Sequence, residues 1–511
     1  MTETENPPRA AGPSGAATVL PDDPRYPSLL DVYNHRFAAR PESVRVAASA
    51  ADVADVLREA VASGRRVAVR GGGHCFEDFA SSADIEILLD VSQLSEVAFD
   101  ERRRAFAVGA GATLGHAYRT LFTRWGVTIP GGTCFDVGMG GHVAAGGYGH
   151  LSRRDGLVVD HLYAVEVVVV DAAGEPRTVV ATREPGDPNR DLWWAHTGGG
   201  GGNFGVLTRL WFRAPDADPA GPPGRLLPPA PRRVHRRSVS WSWDGMTEST
   251  FTGIVRRFAA WHEANSAPDA PAAALWSNFI ISHRSAGGFT LIAVIDEDAP
   301  DAAAVLDGHV RALTAGTGAE PAADQHDVVP WWSDWMPSFN WPPDPAGRYK
   351  NKAAYLRRGF TDAQLATIWS HLSDSADNPF ACLVLSGYGG RIGAVAPDAT
   401  ASPQRGAVLK AMFCGGRWDS ADQDAAQIDW IRRFYRDVYA HTGGVPAPDD
   451  VSDGSYIGYP DVDLADPEWN TSGVPWHDLY YQDGYPRLQD VKRRYDPLDV
   501  FRHALSVRPP A

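Results

Sequence analysis

The chain has 511 residues, 44% of them apolar, and a formal net charge of −15. A chain of this length suits two or three domains with buried cores, and its acidic balance argues against the basic surface that nucleic acid or an anionic membrane would need. The composition therefore predicts an enzyme-sized globular protein that binds a small molecule, with no nucleic acid and no membrane among its partners.

Targeting signals are sparse. Residues 1–21 lack the charged start and apolar run of a signal peptide, and no stretch reaches the roughly 18 apolar residues of a membrane span. Of 48 basic residues only four are lysine, a bias typical of a GC-rich bacterial genome. We therefore expect a cytoplasmic bacterial protein.

The four cysteines make neither a disulfide framework nor, with the histidines, a metal-binding spacing, so we expect no metal site.

The predicted elements begin after a tail. Residues 1–20, rich in Pro, Ala, Gly and Glu, are predicted to be flexible, with folding starting directly after them. Apolar periodicity then predicts a strand at 44–46 and a helix at 51–62. A second strand at 67–69 runs directly into a glycine loop at 70–74. The predicted order is strand, helix, strand, glycine loop.

Further elements of the first half end at a proline-rich segment. They are strands at 85–89 and 105–108, a helix at 113–125, a glycine-rich stretch at 130–149, and strands at 162–170 and 178–181. The last two strands flank a turn at 171–174 and predict a β-hairpin. A third glycine cluster at 197–205 precedes the proline-rich segment 214–231, where we place a domain boundary. This boundary gives a first domain at 21–215.

The second half mixes strands and helices. The predicted elements are strands at 239–243, 289–295 and 383–385 and helices at 248–265 and 362–373. This alternation is typical of an α+β domain, which we place at 216–454. The remaining segment, 455–511, is irregular apart from an amphipathic helix at 489–495.

Three glycine clusters, at 71–73, 131–149 and 198–205, carry the first chemical signal. Clustered glycines let the backbone approach a ligand and point N–H groups at phosphate oxygens, so together they predict a dinucleotide cradle. None has the strand–GxGxxG–helix context of a Rossmann site or the GxxxxGK[ST] of a P-loop, which argues against NAD or ATP in those folds. For any single cluster, tight turns are the alternative interpretation.

The residues of these clusters resemble a known family. The runs Arg70-Gly-Gly-Gly-His74-Cys75, Pro130-Gly-Gly-Thr-Cys134-Phe-Asp-Val-Gly-Met-Gly-Gly-His142 and Gly-Gly-Tyr148-Gly are similar to those of the berberine-bridge-enzyme-like FAD oxidoreductases of the vanillyl-alcohol-oxidase group. The closing run Tyr-Tyr481-Gln-Asp-Gly-Tyr-Pro-Arg supports the match, which is strongest to actinobacterial antibiotic-tailoring hexose oxidases. The resemblance implies an α+β fold. A PCMH-type FAD-binding domain of two subdomains is joined by a substrate domain with an antiparallel sheet flanked by helices, and the C-terminal segment returns to the FAD domain.

The resemblance also implies how FAD is held. In the family the histidine after the glycine run is bonded to the flavin 8α-methyl carbon and the cysteine of the PGGxC run to flavin carbon 6, which implies His74 and Cys134 here. Imidazole and thiolate are both good nucleophiles toward an electron-poor ring. In isolation, a buried histidine and an inert core cysteine would be the ordinary interpretation. The expected cofactor-binding residues are Arg70, Gly71, Gly72, Gly73, His74, Cys75, Gly131, Gly132, Thr133, Cys134, Val137, Gly138, Gly140, Gly141, His142, Gly147, Asn203, Gly205, Val206 and Tyr481.

Several of these residues have distinct expected roles. Val137 matches the family position on the oxygen-reactive flank of the flavin, which favours an oxidase. His142 and Asn203 are expected either to hydrogen-bond the cofactor or to satisfy their own loops. The Cys75 side chain is expected to pack, with its backbone along the flavin loop. Two further cysteines, Cys382 and Cys414, lie on apolar strand-like runs and are also expected to be packing residues.

Three tyrosines are candidate catalytic residues. Oxidising an alcohol by hydride transfer requires a base near the flavin. The run Ser-Tyr-Ile-Gly-Tyr459-Pro resembles the family's tyrosine motif, whose second tyrosine is the base in many members, and implies Tyr459. Tyr388, at a predicted strand end, and Tyr148 match further active-site tyrosines, with core packing as the alternative. A tyrosine pKa of about 10 makes a poor base unless nearby donors or charge favour the phenolate.

We therefore expect an FAD-dependent oxidase that oxidises a hydroxyl group, on a sugar or another alcohol or lactol of a secondary metabolite such as a glycosylated antibiotic, and reduces O2 to H2O2. The alternatives are an oxidative cyclase, a flavin-dependent dehydrogenase and a non-catalytic flavin- or ligand-binding protein. The expected partners are the small-molecule substrate and O2, and a homodimer is one candidate assembly. The substrate itself is not specified by these motifs.

Overall fold

The described chain starts in a sheet, earlier than the sequence predicts. The computed structural model describes residues 15–318, 320–339 and 346–510, with Phe339 described for its backbone alone. Of the predicted tail 1–20, residues 1–14 lie outside the described residues, whereas Ala17–Val19 forms a strand paired antiparallel with Ser43–Val46. The prediction of a flexible tail is therefore wrong from Ala17 onward, because this backbone is hydrogen-bonded into a sheet.

Strands and helices are numbered separately in chain order. The strands are β1 Ala17–Val19, β2 Ser43–Val46, β3 Val67–Arg70, β4 Ile87–Asp90, β5 Val97–Asp100, β6 Ala105–Gly109, β7 Leu162–Val170, β8 Pro176–Thr182, β9 Val206–Phe212, β10 Arg233–Ser242, β11 Trp276–Ser282, β12 Gly288–Asp296, β13 Ala323–Pro330, β14 Arg348–Leu356, β15 Cys382–Gly387 and β16 Leu409–Trp418. The helices are α1 Tyr26–Leu29, α2 Ala50–Ser63, α3 Leu114–Trp125, α4 Met139–Ala144, α5 Ser152–Asp155, α6 Arg190–Ala195, α7 Glu248–Ala264, α8 Ala302–Thr314, α9 Met336–Phe339, α10 Asp362–Leu372, α11 Asp424–Val438, α12 Trp476–Tyr481 and α13 Tyr485–Tyr495. Each predicted strand and helix is present; the strand at 162–170 has the predicted ends, and the ends of the others are shifted.

The first sheet positions the first glycine loop. Its order is β1-β2-β4-β3, and β2, β4 and β3 run parallel. Helix α2 makes the crossover from β2 to β3. The Ser49 hydroxyl accepts from the Asp52 N–H at its start, and Gly64, in the left-handed conformation at φ 66°, ends it. The predicted strand–helix–strand order is confirmed, and the glycine loop follows the carboxyl end of β3.

The second sheet packs on the first through alternate residues of one strand. It is antiparallel, in the order β5-β6-β9-β7-β8, and the predicted hairpin is the pair β7–β8. Val168 and Val170 of β7 cluster with the apolar face of α2, whereas Val167 and Val169 belong to the main core. Since successive strand residues point to opposite faces, β7 is buried on both sides. The two sheets form the layers from which the glycine loops project.

The third sheet forms the second half of the molecule. Its seven strands are antiparallel, in the order β13-β10-β12-β11-β15-β16-β14. Helix α8 packs on β10 and β12, and helix α11 packs on β14 and β16. The expected antiparallel sheet flanked by helices is confirmed. The segment 214–231 connects the second sheet to the third, at the place where we predicted a domain boundary.

The C-terminal segment returns to the first two sheets. Helix α13 packs against α6. The buried Lys492 ammonium donates to the Asn203 carbonyl (3.0 Å) and pairs with Asp496 (2.6 Å). Phe501 packs in the same cluster as β7 and α2. Among the described residues, no helix combines the length and apolar character that crossing a membrane requires.

Candidate functional site

A cavity of about 780 Å³ lies between the glycine loops and one face of the third sheet. The loop after β3, parts of the stretch 132–149 and the loop 200–206 form one wall. Side chains of β11, β14, β15 and β16 form the other, and residues 456–460 close one side. This volume is within the range of about 300–1,000 Å³ that is typical of ligand and cofactor sites.

Two of the glycine loops are in backbone contact. A Cβ on Gly72 would overlap the Gly138 nitrogen, and a Cβ on Gly138 would lie 2.5 Å from the Gly72 nitrogen. Gly73, at φ 70°, turns the chain toward His74 in a conformation that residues with a side chain rarely adopt. Glycine at these positions brings the two loops together, so that the segments carrying His74 and Cys134 meet around one cavity.

Most of the predicted cofactor-binding residues line this cavity. They are Arg70, Gly71, Gly72, Gly73, His74, Cys75, Gly132, Thr133, Cys134, Val137, Gly138, Gly140, Gly141, His142, Gly205 and Val206. His74 stacks on Tyr33, with ring centroids 4.6 Å apart. The Arg70 guanidinium is paired with Asp90 (2.6 Å) and donates to the Asp31 carbonyl (3.2 Å), so Arg70 anchors the start of the loop.

Neutral side chains hold the second loop. The His142 Nε2 accepts from the Gly132 N–H (3.0 Å), and the Tyr118 hydroxyl donates to the Gly132 carbonyl (2.6 Å). Burial lowers the pKa of His142 to about 4, so its ring is neutral and Nε2 is free of a proton, as this hydrogen bond requires. Burial raises the pKa of the Cys75 thiol to about 12. Cys75 is therefore protonated, in agreement with a backbone role and no attachment role.

Four predicted cofactor-binding residues do not line the cavity. Asn203 donates to the Gly199 carbonyl (2.9 Å) and accepts from the Val507 N–H (2.8 Å), and the Tyr481 hydroxyl donates to the same Gly199 carbonyl (3.1 Å). They shape the third glycine loop from behind. Gly131 and Gly147 lie behind the second loop, packed against the Tyr118 hydroxyl and the His142 ring respectively.

The predicted catalytic tyrosines converge on one buried group. The Tyr148 and Tyr459 hydroxyls are 3.0 Å apart, and both residues line the cavity. The Lys410 ammonium lies 3.4 Å from the ring centroid of Tyr148, 3.1 Å from that of Tyr456 and 5.1 Å from that of Tyr459. Lys410 is 1% exposed, and its Nζ has no hydrogen-bond partner among the described residues. The tyrosine pair therefore has a buried lysine nitrogen directly behind it.

Burial disfavours the charged forms of the lysine and the tyrosines in this cluster. Loss of water raises the pKa of Tyr148 to about 12 and that of Tyr459 well above its ordinary value. It lowers the pKa of Lys410 well below that of a free lysine. The nearby π faces stabilise an ammonium, and an ammonium stabilises a phenolate beside it. The protonation state of Lys410 therefore bears on that of the tyrosines.

Tyr388 takes a different place from the one predicted. It is 2% exposed and does not line the cavity. Its ring centroid lies 5.3 Å from that of Tyr355 and 6.2 Å from that of Tyr148, and its carbonyl accepts from the buried Arg153. Burial raises its pKa above the ordinary value. Tyr388 therefore supports the Tyr148 ring from behind and does not face the cavity.

The sequence analysis missed the wall formed by β15 and β16. The cross-strand pairs along it are Ser386 with Lys410, Val384 with Met412 and Cys382 with Cys414. All of these side chains except Lys410 line the cavity, so the prediction that Cys382 and Cys414 pack in a core is wrong. Alternate residues of both strands point to the same face of the sheet, and this face is open to the cavity.

The solvent exposure of this wall increases from one end to the other. Along β15, exposure rises from 5% at Ser386 and 8% at Val384 to 62% at Phe380, which lies just before the strand and at the cavity mouth. Lys410 could have been detected from the sequence, because a lysine inside the apolar run Val-Leu-Lys-Ala-Met is unusual for a buried strand. Phe380 carried no such signal.

Comparison with known families identifies the class of protein. An FAD binding domain matches residues 41–179, and a berberine and berberine like domain matches residues 455–508. The cavity fits FAD, because all three glycine loops line it and glycine lets their backbone approach a dinucleotide. The protein is therefore a flavoprotein that binds FAD.

Its relatives narrow the class further. The aclacinomycin-N/aclacinomycin-A oxidase of Streptomyces galilaeus is 50% identical over 98% of this chain and 92% of that protein. The crystal structure of a flavoenzyme involved in shunt product recycling in caerulomycin biosynthesis superposes with a TM-score of 0.93, at 49% identity over 97% of this chain and all of the other. A glycopeptide hexose oxidase, solved with teicoplanin, gives 0.92 at 46% identity over 98% of this chain and all of the other. The chain belongs to the berberine-bridge-enzyme-like FAD-linked oxidoreductases.

Proposed function

We propose that this protein is an FAD-dependent oxidase that oxidises a hydroxyl group on a secondary metabolite, a sugar hydroxyl or another alcohol or lactol, with O2 as electron acceptor. Its relatives support this, since oxidases of aclacinomycins and of a glycopeptide hexose share 46–50% of its sequence over nearly the whole chain. Bound FAD supplies the hydride acceptor for such a reaction. A cytoplasmic location and a homodimer stay predictions.

The observation that carries the proposal is the pair of tyrosine hydroxyls in front of a buried lysine. A substrate hydroxyl placed in the cavity donates to the Tyr459 oxygen, and the Tyr459 phenolate takes its proton as the carbon–hydrogen bond breaks. The Tyr148 hydroxyl, 3.0 Å from the Tyr459 oxygen, donates to the phenolate and stabilises its charge. Lys410 lies behind both rings, and in its protonated form it favours the phenolate. This arrangement can remove a proton from an alcohol in a cavity without bulk water.

We also propose that FAD is bonded to both His74 and Cys134. Both residues line the cavity, and the glycine contact at Gly72 and Gly138 brings their loops together. Two attachment points on different loops would limit rotation of the flavin ring in the cavity. His74 is itself held by stacking on Tyr33. Val137 lines the same cavity, in agreement with its expected place on the oxygen-reactive flank.

The wall of β15 and β16 supports one orientation of the substrate. The hydroxyl to be oxidised would lie at the buried end, near Ser386 and the tyrosine pair. The apolar pair Val384–Met412 would contact the next part of the molecule, and Phe380 at the mouth offers an aromatic face to whatever extends beyond. A hydroxylated ring joined to a flat apolar body fits this order of polar, apolar and aromatic surface.

The test of the proposed function is reduction of the bound flavin. Glycosylated and hydroxylated natural products should be screened anaerobically for bleaching of the flavin absorbance. A positive compound should yield a carbonyl or lactone and, in air, hydrogen peroxide without added nicotinamide. Loss of two hydrogens with ring closure and no new carbonyl would indicate an oxidative cyclase. Bleaching that oxygen does not reverse would indicate a dehydrogenase.

The role of Tyr459 is tested in the same assay. Tyr459→Phe removes the acid–base oxygen and keeps the ring, so flavin reduction should slow by about 10²–10⁴-fold while substrate affinity changes much less. Tyr26→Phe is a matched control, because that buried hydroxyl donates to the Pro41 carbonyl on the outer side of the first sheet. Near-normal flavin reduction in Tyr459→Phe would assign the base elsewhere, with Tyr148 first among the residues that line the cavity.

A further inference from the structure

A network of charged side chains lies buried behind the loop that carries Tyr459. Its members, here named the buried ion network, are Glu77, Lys350, Lys352, Arg432, Asp461 and Asp463. All of them except Arg432 are at most 3% exposed at the side chain. None of these residues takes part in the chemistry described above, and the hydrogen bonds of their side chains within the described chain go to one another and to the backbone of residues 462 and 463, away from the tyrosine pair.

Each carboxylate of the network accepts a hydrogen bond from at least one lysine of the network. The Lys350 Nζ donates to Glu77 Oε1 (2.6 Å) and to Asp461 Oδ1 (2.7 Å). The Lys352 Nζ donates to Asp461 Oδ2 (2.7 Å) and to Asp463 Oδ2 (2.7 Å). The Arg432 guanidinium donates two further hydrogen bonds to the Asp463 carboxylate. Three cations balance three carboxylates, so the network can be buried without an unpaired charge.

The network joins the two loops whose distance matters for the reaction. Glu77 lies three residues after His74, and Asp461 lies two residues after Tyr459. Lys350, on β14 of the third sheet, bridges Glu77 and Asp461 through one nitrogen. The Glu77 carboxylate also accepts from the N–H of Val462 (3.5 Å). A single ammonium thus ties the flavin-attachment loop to the loop of the base.

Stability does not explain such an arrangement well. Replacing a buried ion pair by apolar residues is often neutral or stabilising, because desolvation offsets much of the attraction. The distinctive effect of the buried ion network is on the geometry of the loops that it joins. Both oxygens of Asp461 are held by different lysines, so this carboxylate cannot rotate, and the segment that starts at Tyr459 is fixed at its far end. Misplacement of a reacting group by about 1 Å can cost on the order of 10²-fold in rate.

We propose that Lys350, through Glu77 and Asp461, is a positioning residue that sets the Tyr459 hydroxyl against the flavin-attachment loop at His74. This inference rests on the proposed function of Tyr459 as base. Phe76, between His74 and Glu77, stacks on the Tyr459 ring with centroids 5.2 Å apart, so a shift of either loop is transmitted to that ring. The network thereby controls the geometry of proton removal without touching the substrate.

The test removes the link while keeping charge balance. The double variant Glu77→Gln/Lys350→Met deletes one carboxylate and one ammonium, and the amide oxygen introduced by Glu77→Gln can still accept from the Val462 N–H. We expect a folded protein with normal FAD content, in which substrate-dependent flavin reduction is slowed about 10–100-fold and substrate affinity changes less than about threefold. Amide hydrogen exchange in a peptide that covers residues 455–465 should rise, a readout that needs no turnover.

A double-mutant cycle separates positioning from a general structural effect. In a Tyr459→Phe background the same double variant should slow flavin reduction little further, because the group it positions is gone. The control Arg348→Met/Asp424→Asn breaks an ion pair between the same strand, β14, and helix α11, and should leave flavin reduction and the 455–465 exchange unchanged. If the double variant does not fold, the isosteric Glu77→Gln carries the same cycle.

Three results would overturn the proposal. They are a folded double variant that reduces its flavin at the wild-type rate, an equal slowing in the Tyr459→Phe background, and unchanged exchange over residues 455–465. Failure of the proposed function has a different signature. In that case wild-type protein shows no substrate-dependent bleaching, or Tyr459→Phe reduces its flavin normally, whatever the network variants do.

Discussion

Replacing Lys410 by methionine isolates the charge behind the tyrosine pair. Methionine keeps much of the length and removes the ammonium, whose nitrogen is 5.1 Å from the Tyr459 ring centroid. At an effective dielectric of about 20, two unit charges at that distance interact by about 3 kcal/mol, or about 2 pKa units. A cation favours the phenolate, so its removal should raise the pKa of Tyr459 beyond the increase that burial already causes.

The consequence appears in the pH dependence of flavin reduction. The active base is the phenolate, and burial places the pKa of Tyr459 above its ordinary value, so the rate should rise with pH from neutral upward. In Lys410→Met the rising limb should move to higher pH by about 2 units, with a reduction about 10²-fold slower at neutral pH. Anaerobic stopped-flow measurement of flavin absorbance across the neutral and alkaline range gives both numbers.

Two comparisons make this measurement decisive. Lys410→Arg keeps a cation and should recover part of the shift. Tyr459→Phe should lack the rising limb, and the double variant Lys410→Met/Tyr459→Phe should behave like Tyr459→Phe alone. An unshifted limb in Lys410→Met would refute the reasoning. It would mean that burial, which lowers the pKa of Lys410, keeps this side chain neutral at working pH, so that no charge is there to remove.

Other predictions concern the cofactor and the substrate. Acid-precipitated protein should stay yellow, and the single variants His74→Ala and Cys134→Ala should each keep their colour through the other bond; release of all flavin into the supernatant would contradict double attachment. Phe380→Ala should raise KM about 2–10-fold for a substrate with a large apolar body and leave kcat unchanged, as expected for loss of one aromatic contact. A small glycoside that does not reach the mouth should be unaffected, and equal effects on both substrates would place the apolar body elsewhere.

The sequence by itself determined the cavity wall that the glycine loops form. His74 and Cys134 each lie close after glycines in the sequence, so neighbouring residues identify them. The strand–helix–strand order before His74 follows from the periodicity of nearby apolar residues. Such features depend on neighbouring residues, so a single sequence displays them. The first strand, Ala17–Val19, was missed because its ordering comes from pairing with a distant strand and not from its own composition.

Only the tertiary structure decided the opposite wall of the cavity, where we propose that the substrate binds. Tyr148 and Tyr459 are 311 positions apart, and Lys410 joins them from a third element. Alternation along a strand shows that two faces exist, but strand register and packing decide which face is core and which is open. That is why Cys382 and Cys414 could be read as core residues although their face lines the cavity. Burial and the approach of distant charges also set the pKa of the tyrosine pair, and both are properties of the folded chain.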